Sequence, residues 1–233
     1  MKKNFLDFIL SECLILLILG FTGTNLWLAR NPIKFFLGDF ASVGFVFLFL
    51  LLYGGYTAIT LALFNRVFPF REGDYTTPDF QFTLWKVRHV LEQLGRRALT
   101  LFFPDFIQHS LFALLGARVG CEVAIAGDIL DPVLTTVEEG GVLGVGTIVT
   151  AHAMAGNRFI LRRVHIERNA TIGVGCILMP GVRVGAGAVV LPGSVLKAHT
   201  HVPPGETWGG SPAERVRPKV PPIQSLPTDR TLT

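Results

Sequence analysis

From Ile166 onward, every sixth residue is aliphatic or tryptophan: Ile166, Ile172, Leu178, Val184, Val190, Leu196, Val202 and Trp208. Four residues after most of these comes a small or β-branched one: Ala170, Cys176, Val182, Ala188, Ser194 and Thr200. A period of six fits neither the face of a helix nor an alternating strand. It fits short strands joined by sharp corners, with one inward aliphatic per strand. Gly-x-Gly pairs (Gly144/Gly146, Gly173/Gly175, Gly185/Gly187) and Pro-Gly pairs (Pro180-Gly181, Pro192-Gly193, Pro204-Gly205) supply those corners. Glycine reaches positive φ without strain, and proline presets φ near −65°. Stacked coils of this kind pair their backbones and bury a continuous aliphatic ladder.

The same register holds upstream at Val119, Ile125, Val137, Leu143 and Val149, but fails at Asp131. Seventeen residues separate Val149 from Ile166, which is not a multiple of six. An excursion is therefore expected to leave the array near Ala153–His165.

The N-terminal part has a different composition. Its first 70 residues hold eight charged side chains, and two runs hold none: Cys13–Ala29 (17 residues) and Phe40–Asn65 (26 residues). Twenty-six helical residues span about 39 Å, more than the ~30 Å hydrocarbon core of a bilayer. The first run is shorter, and extending it toward Phe5 takes in Asp7 and Glu12. A signal peptide is the competing reading, since Lys2 and Lys3 precede it. It is set aside because the stretch is long and acid-interrupted, has no small-residue cleavage site and is followed directly by a second span. Two spans make a transmembrane hairpin. Lys2 and Lys3 before it, and Arg66, Arg71, Lys86 and Arg88 after it, place both ends in the cytoplasm, although Arg30 and Lys34 lie in the loop between. Glu12 reads either as an intramembrane acid or as a carboxylate at the interface.

Between Pro78 and Gly116, Leu84, Val87, Leu91, Leu94 and Ala98 follow helical spacing, with Lys86, Arg88, Arg96 and Arg97 adding positive charge. Asp105 is placed to cap a second helix toward Leu115. This collar is expected to rest against lipid head groups. Cys13, Cys121 and Cys176 show no metal-ligand spacing, and nothing basic or aromatic-interleaved indicates nucleic-acid binding.

The repeat resembles that of the left-handed parallel β-helix acyltransferases, over about Val119–Ala213. The resemblance implies four to five coils of three hexads each, a homotrimer with active sites between subunits, and an acyl-thioester donor such as acetyl-CoA. The fold expected is thus mainly β, a left-handed parallel β-helix preceded by a two-helix transmembrane hairpin and amphipathic helices. The expected divisions are 1–70 (hairpin), 71–116 (collar), 117–213 (β-helix) and 214–233 (a poorly ordered tail). With the hairpin and the segment GETWGGSPA (Gly205–Ala213), the chain looks most like the membrane-bound condensation domains of ε-poly-lysine synthetase. The implied setting is the bacterial inner membrane, with the β-helix in the cytoplasm.

Members of this family usually carry a catalytic histidine at the end of a hexad, just before an extruded loop, and His152 fits that position. Histidine is suited to general-base work near neutral pH. Asp131, Glu138 and Asn157 are candidates to orient it; His89, His109, His165 and His199 read as structural. The resemblance places the pantetheine arm on Gly173, Val174 and Gly175, and on Leu191, Pro192, Gly193 and Ser194 one coil later, with Lys197 toward the adenine. Many coenzyme A-dependent members have Gly-Ala-Gly where this chain has Leu191-Pro192-Gly193, and proline lacks an N–H. Leu196 also replaces a threonine that usually precedes the lysine. A carrier-protein thioester is therefore an alternative donor, with amide-forming condensation as the alternative reaction. A non-catalytic membrane scaffold is a third possibility. Gamma-class carbonic anhydrases share the fold and bind a metal through histidines on neighbouring coils. Their Gly-His pair is missing here, since Val174 follows Gly173, and no metal is expected. The acceptor is a small molecule, glycan, lipid or amine. Arg158, Arg162 and Arg163 in the excursion are placed either to contact phosphates of donor or lipid, or to form a solvated charge cluster.

Overall fold

The structure, a computed structural model, describes residues 5–104 and 107–216. Lys2, Lys3, Asp105 and most of the proline-rich tail lie outside the described residues. Helices α1 (Phe5–Leu37) and α2 (Ala41–Val67) are joined by a single 3₁₀ turn, Gly38–Phe40. Asn25 Nδ2–H donates to Tyr56 Oη at 2.9 Å, and the Phe21 and Tyr56 rings lie 5.9 Å apart, so the two helices lie against each other. The helical stretch Asp7–Val67 is long and apolar enough to cross a membrane by length and composition, with a mean hydropathy of 2.3. Leu16, Phe21, Trp27, Leu28, Phe47 and Leu63 are among its exposed apolar side chains.

Helix α3 (Phe80–Leu99) runs back along α2. Leu99 fills the space over Gly54, Thr57 packs on Gly95, and Arg88 lies over Phe64. Its expected apolar stripe is inside: Leu84, Val87, Leu91 and Ala98 are buried, and Leu94 packs at the edge. The basic residues depart from expectation. Lys86 pairs with Asp7 of α1, Arg88 is buried over Phe70, and Arg96 pairs with Asp128 of the β-helix at 3.0 Å. Three of the four cations thus hold α3 within the protein instead of facing head groups. A short helix α4 (Gln108–Leu114) leads into the repeat.

The repeat forms a three-faced β-helix. Strands 118–119, 135–137, 164–166, 183–184 and 201–202 make the first face. Strands 124–125, 142–143, 171–172, 189–190 and 207–210 make the second, and 128–129, 148–149, 177–178 and 195–196 the third. Neighbouring coils pair in parallel, as in Ile172 opposite Leu143 and Val190, and Leu178 opposite Val149 and Leu196. The inward ladder is buried as the period predicts. Each fully buried aliphatic contributes roughly 1.5–3 kcal/mol relative to exposure.

The break at Asp131 has a structural cause. In the first coil the third-face strand comes two residues early: Ile129, not residue 131, pairs with Val149 and points inward. The corner that follows is correspondingly long and folds as a 3₁₀ turn, Pro132–Leu134, which places Asp131 outside the ladder. The excursion is a β-hairpin, His152–Ala155 and Arg158–Leu161, beginning one residue earlier than expected. It pairs with strand Gly73–Thr76, which the sequence pattern did not indicate. At the other end, Ala213–Arg215 folds back antiparallel on Thr207–Gly210, so the ordered domain extends past residue 213.

The Gly-x-Gly pairs prove to serve two purposes. Gly175 has φ +67° and open space beside it, so it serves the corner conformation. Gly173 lies on the next coil: a Cβ there would sit 2.6 Å from Pro192 N and 2.9 Å from Leu191 C. Gly173→Ala must therefore force two backbones apart, with an expected loss of about 1–3 kcal/mol. A lowered thermal midpoint by circular dichroism checks this, and an unchanged midpoint contradicts it.

Candidate active site

The third-to-first corner of the β-helix brings Asp131 (first coil) and His152 (second coil) together. His152 Nδ1–H donates to Asp131 Oδ2 at 2.6 Å. The same oxygen accepts the Ala151 N–H at 2.9 Å, while Asp131 Oδ1 accepts the Trp85 Nε1–H of α3, also at 2.9 Å. Burial pushes the Asp131 carboxyl up, but the bonds from His152, Trp85 and Ala151 outweigh it and hold it below the usual carboxylate range. It is therefore an anion, 4% exposed, with three donors. Of the three orienting candidates, the structure selects Asp131. Glu138 instead pairs with His165 at 2.7 Å, and Asn157 is at the hairpin turn, bonded to Thr77.

With Nδ1 committed to the carboxylate, the Nε2 lone pair of the neutral ring is the free base. Thr150 braces the backbone: its hydroxyl donates to His152 O at 2.8 Å. Trp85 packs against the imidazole with centroids 4.5 Å apart, and Phe159 of the hairpin lies 6.3 Å away. His152 is thus enclosed by the corner, the hairpin and α3, with about a fifth of its side chain exposed, 19%. Trp85 escaped the sequence analysis. It lies on an apolar helical stripe like any core residue, and only its contact across 46 positions reveals its role.

The other predicted site residues are elsewhere. Gly173, Val174, Gly175, Gly193 and Ser194 line the second-to-third corner, one face away from His152. The Gly173, Gly175 and Gly193 N–H groups are bonded within the array, to Val190 O, Val145 O and Val174 O. Ser194 is fully buried; its hydroxyl donates to Leu191 O and accepts the Gly210 N–H, so its side chain is committed to the coil. Val174 is exposed. Lys197 is exposed on the same edge as His152, two coils further on, while Leu196 points inward. The loop arginines are tied to the strand that follows α2: Arg158 and Arg162 pair with Asp74 at 3.2 and 2.8 Å, and Arg163 with Glu72 at 3.4 Å. Neither a phosphate contact nor a solvated cluster describes them; they clip the hairpin down beside His152. Among the described residues, no three His, Cys, Asp or Glu side chains converge as a metal would require.

Comparison with known proteins agrees on the repeat. Residues 163–198 match the family described as bacterial transferase hexapeptide (six repeats). The mitochondrial gamma carbonic anhydrase 2 of Arabidopsis thaliana is 34% identical over 99 residues, 42% of this chain and 35% of that protein. This chain thus spans about a third of that relative's length. An acetyl-CoA complex of a hexapeptide-repeat acetyltransferase from Vibrio cholerae is 26% identical over 44% of this chain and 60% of that one, with a TM-score of 0.41. A galactoside acetyltransferase in complex with coenzyme A is 16% identical over 67% and 90%, with a TM-score of 0.44. Residues 163–198 are hexapeptide repeats of the bacterial transferase type, and they continue the coil that carries the His152–Asp131 pair.

Proposed function

We propose that the chain is a membrane-attached acyltransferase that moves an acyl group, in the first instance acetyl from acetyl-CoA, to a hydroxyl or amine acceptor at the cytoplasmic face. The observation that carries this is the His152–Asp131 pair at a corner of a transferase-type repeat, directly before an extruded hairpin. In the reaction, the acceptor oxygen or nitrogen attacks the thioester carbonyl while His152 Nε2 takes its proton. Collapse of the tetrahedral adduct breaks the C–S bond, and the imidazolium returns that proton to the leaving thiolate. Asp131 stays ionised, fixing the ring's tautomer and offsetting its transient charge.

In one chain the His152 edge and the Gly173–Gly175 edge flank opposite sides of the third face. The reading therefore calls for a homotrimer of left-handed β-helices, with the glycine edge of one subunit facing the His152 edge of its neighbour. The helices α1 and α2 act as two spans of the inner membrane, holding the β-helix in the cytoplasm. The purified chain is expected to float with phospholipid vesicles and resist a carbonate wash; recovery in the aqueous fraction contradicts the anchor.

Calorimetric titration with acetyl-CoA tests the donor. Saturable heat supports this reading. Pro192, which removes a backbone donor from the coil edge, favours a second one: a carrier-bound aminoacyl donor for amide formation. No heat with acetyl-CoA, but turnover with a charged carrier protein, selects that reading. Binding and turnover with neither donor leaves a scaffold.

A further inference from the structure

Behind Asp131, on the side away from His152, is a chamber of about 10 Å³, the scale of a single water site. Phe70, Trp85, Arg88, His89, Glu92 and Asp131 line it. Arg88 and Glu92 are 2% and 4% exposed, yet Arg88 Nε and Nη1, His89 Nδ1 and Glu92 Oε1 have no hydrogen-bond partner among the described residues. Arg88 is otherwise held firmly: Nη2–H donates to Phe68 O at 3.0 Å, and the guanidinium stacks 3.5 Å over Phe70. Four polar atoms from one helix converging beside the orienting carboxylate are a built site. An unpaired buried charge costs several kcal/mol, so such groups are paired, bridged or neutral.

The charges can be assigned. Burial lowers the Arg88 pKa to about 10, opposed by the charges of Glu92 and Asp131, so it remains a cation at neutral pH. Burial and the Asp131 charge push the Glu92 carboxyl well up, which favours its neutral form. His89 is pushed down by burial, toward neutrality. Arg96, the remaining cation on this side of α3, is paired with Asp128, and Arg162 on the hairpin side is paired with Asp74. One buried cation and one buried anion are left: Arg88 and Asp131.

We infer that Arg88 is a positioning residue of the acyl-transfer site. Bridged by one water in the chamber, it is the counter-charge that keeps Asp131 an ionised orienter of His152. This rests on the acyltransferase reading above. It also means that the helix packed on the membrane anchor completes the active site, and that Arg88 serves Asp131 in preference to its helix neighbour Glu92.

A double-mutant cycle on the full chain in detergent, read as turnover of acetyl-CoA by thiol release, tests it. Arg88→Met is expected to lower kcat roughly 10–100-fold, by analogy with lost outer-shell partners, with KM for acetyl-CoA nearly unchanged. Arg88→Lys recovers most of that loss. In the Asp131→Asn background, Arg88→Met should cost little more, because the charge it serves is gone. Arg97→Met, exposed on the same helix, is the unchanged control. Losses that multiply across the cycle, or wild-type kcat in Arg88→Met, overturn the inference. Should Arg88→Met not fold, Arg88→Gln takes its place in the cycle. His152→Ala runs alongside: its retention of turnover sinks the acyltransferase reading, whereas its inactivity beside a multiplicative cycle sinks only the Arg88 assignment.

Discussion

Replacing His152 by alanine is expected to lower acyl transfer by roughly 10²–10⁴-fold, the usual contribution of a positioned general base. The loss should fall on kcat, because binding of the donor rests on backbone corners and not on the imidazole. The fold should persist. His152 stands at a corner outside the aliphatic ladder, and its removal takes partners only from Asp131 and Trp85. Asp131 keeps its bonds from Trp85 Nε1–H and Ala151 N–H, so the carboxylate is not left bare. A thermal midpoint near wild type, with turnover reduced as stated, is the expected pair of results. Full turnover in a folded His152→Ala protein would falsify the assignment of the base.

Asp131→Asn is the second large effect. Shape is retained, but an amide can present its NH₂ where the carboxylate accepted. The His152 ring is then free to place its proton on Nε2, the wrong nitrogen for a base. The expected loss in kcat is again roughly 10²–10⁴-fold, bounded by that of His152→Ala, because a base in the wrong tautomer is no base. The two substitutions together should cost little more than either alone, since they disable one unit. Losses that multiply would show that Asp131 acts on stability or assembly and not through His152.

The coil was legible because its cause is local and repeated: one inward aliphatic per six residues has no other geometry to serve. Asp131 was legible as the one failure of that register, although the sequence could not say that the strand before it begins early. His152 was legible from its place before the excursion. What stayed hidden depends on contacts between distant segments. The strand Gly73–Thr76 is too short and acidic to read alone, and forms because Arg158, Arg162 and Arg163 meet Glu72 and Asp74 across more than eighty positions. The basic residues of α3 looked like a membrane-facing set because the sequence does not say which face the β-helix covers. Trp85 and Arg88 are the clearest cases. Both occupy a helical stripe that reads as core, and both turn toward one carboxylate of the first coil.

The most direct test is a structure of the full-length assembly with acetyl-CoA bound. The account predicts a trimer in which the thioester carbonyl carbon lies within about 4 Å of His152 Nε2, less the space for the attacking atom, and the pantetheine arm runs along Gly173–Gly175 of the adjacent subunit. A donor bound away from the His152–Asp131 corner, or a chain whose corner never meets a second copy, would contradict it.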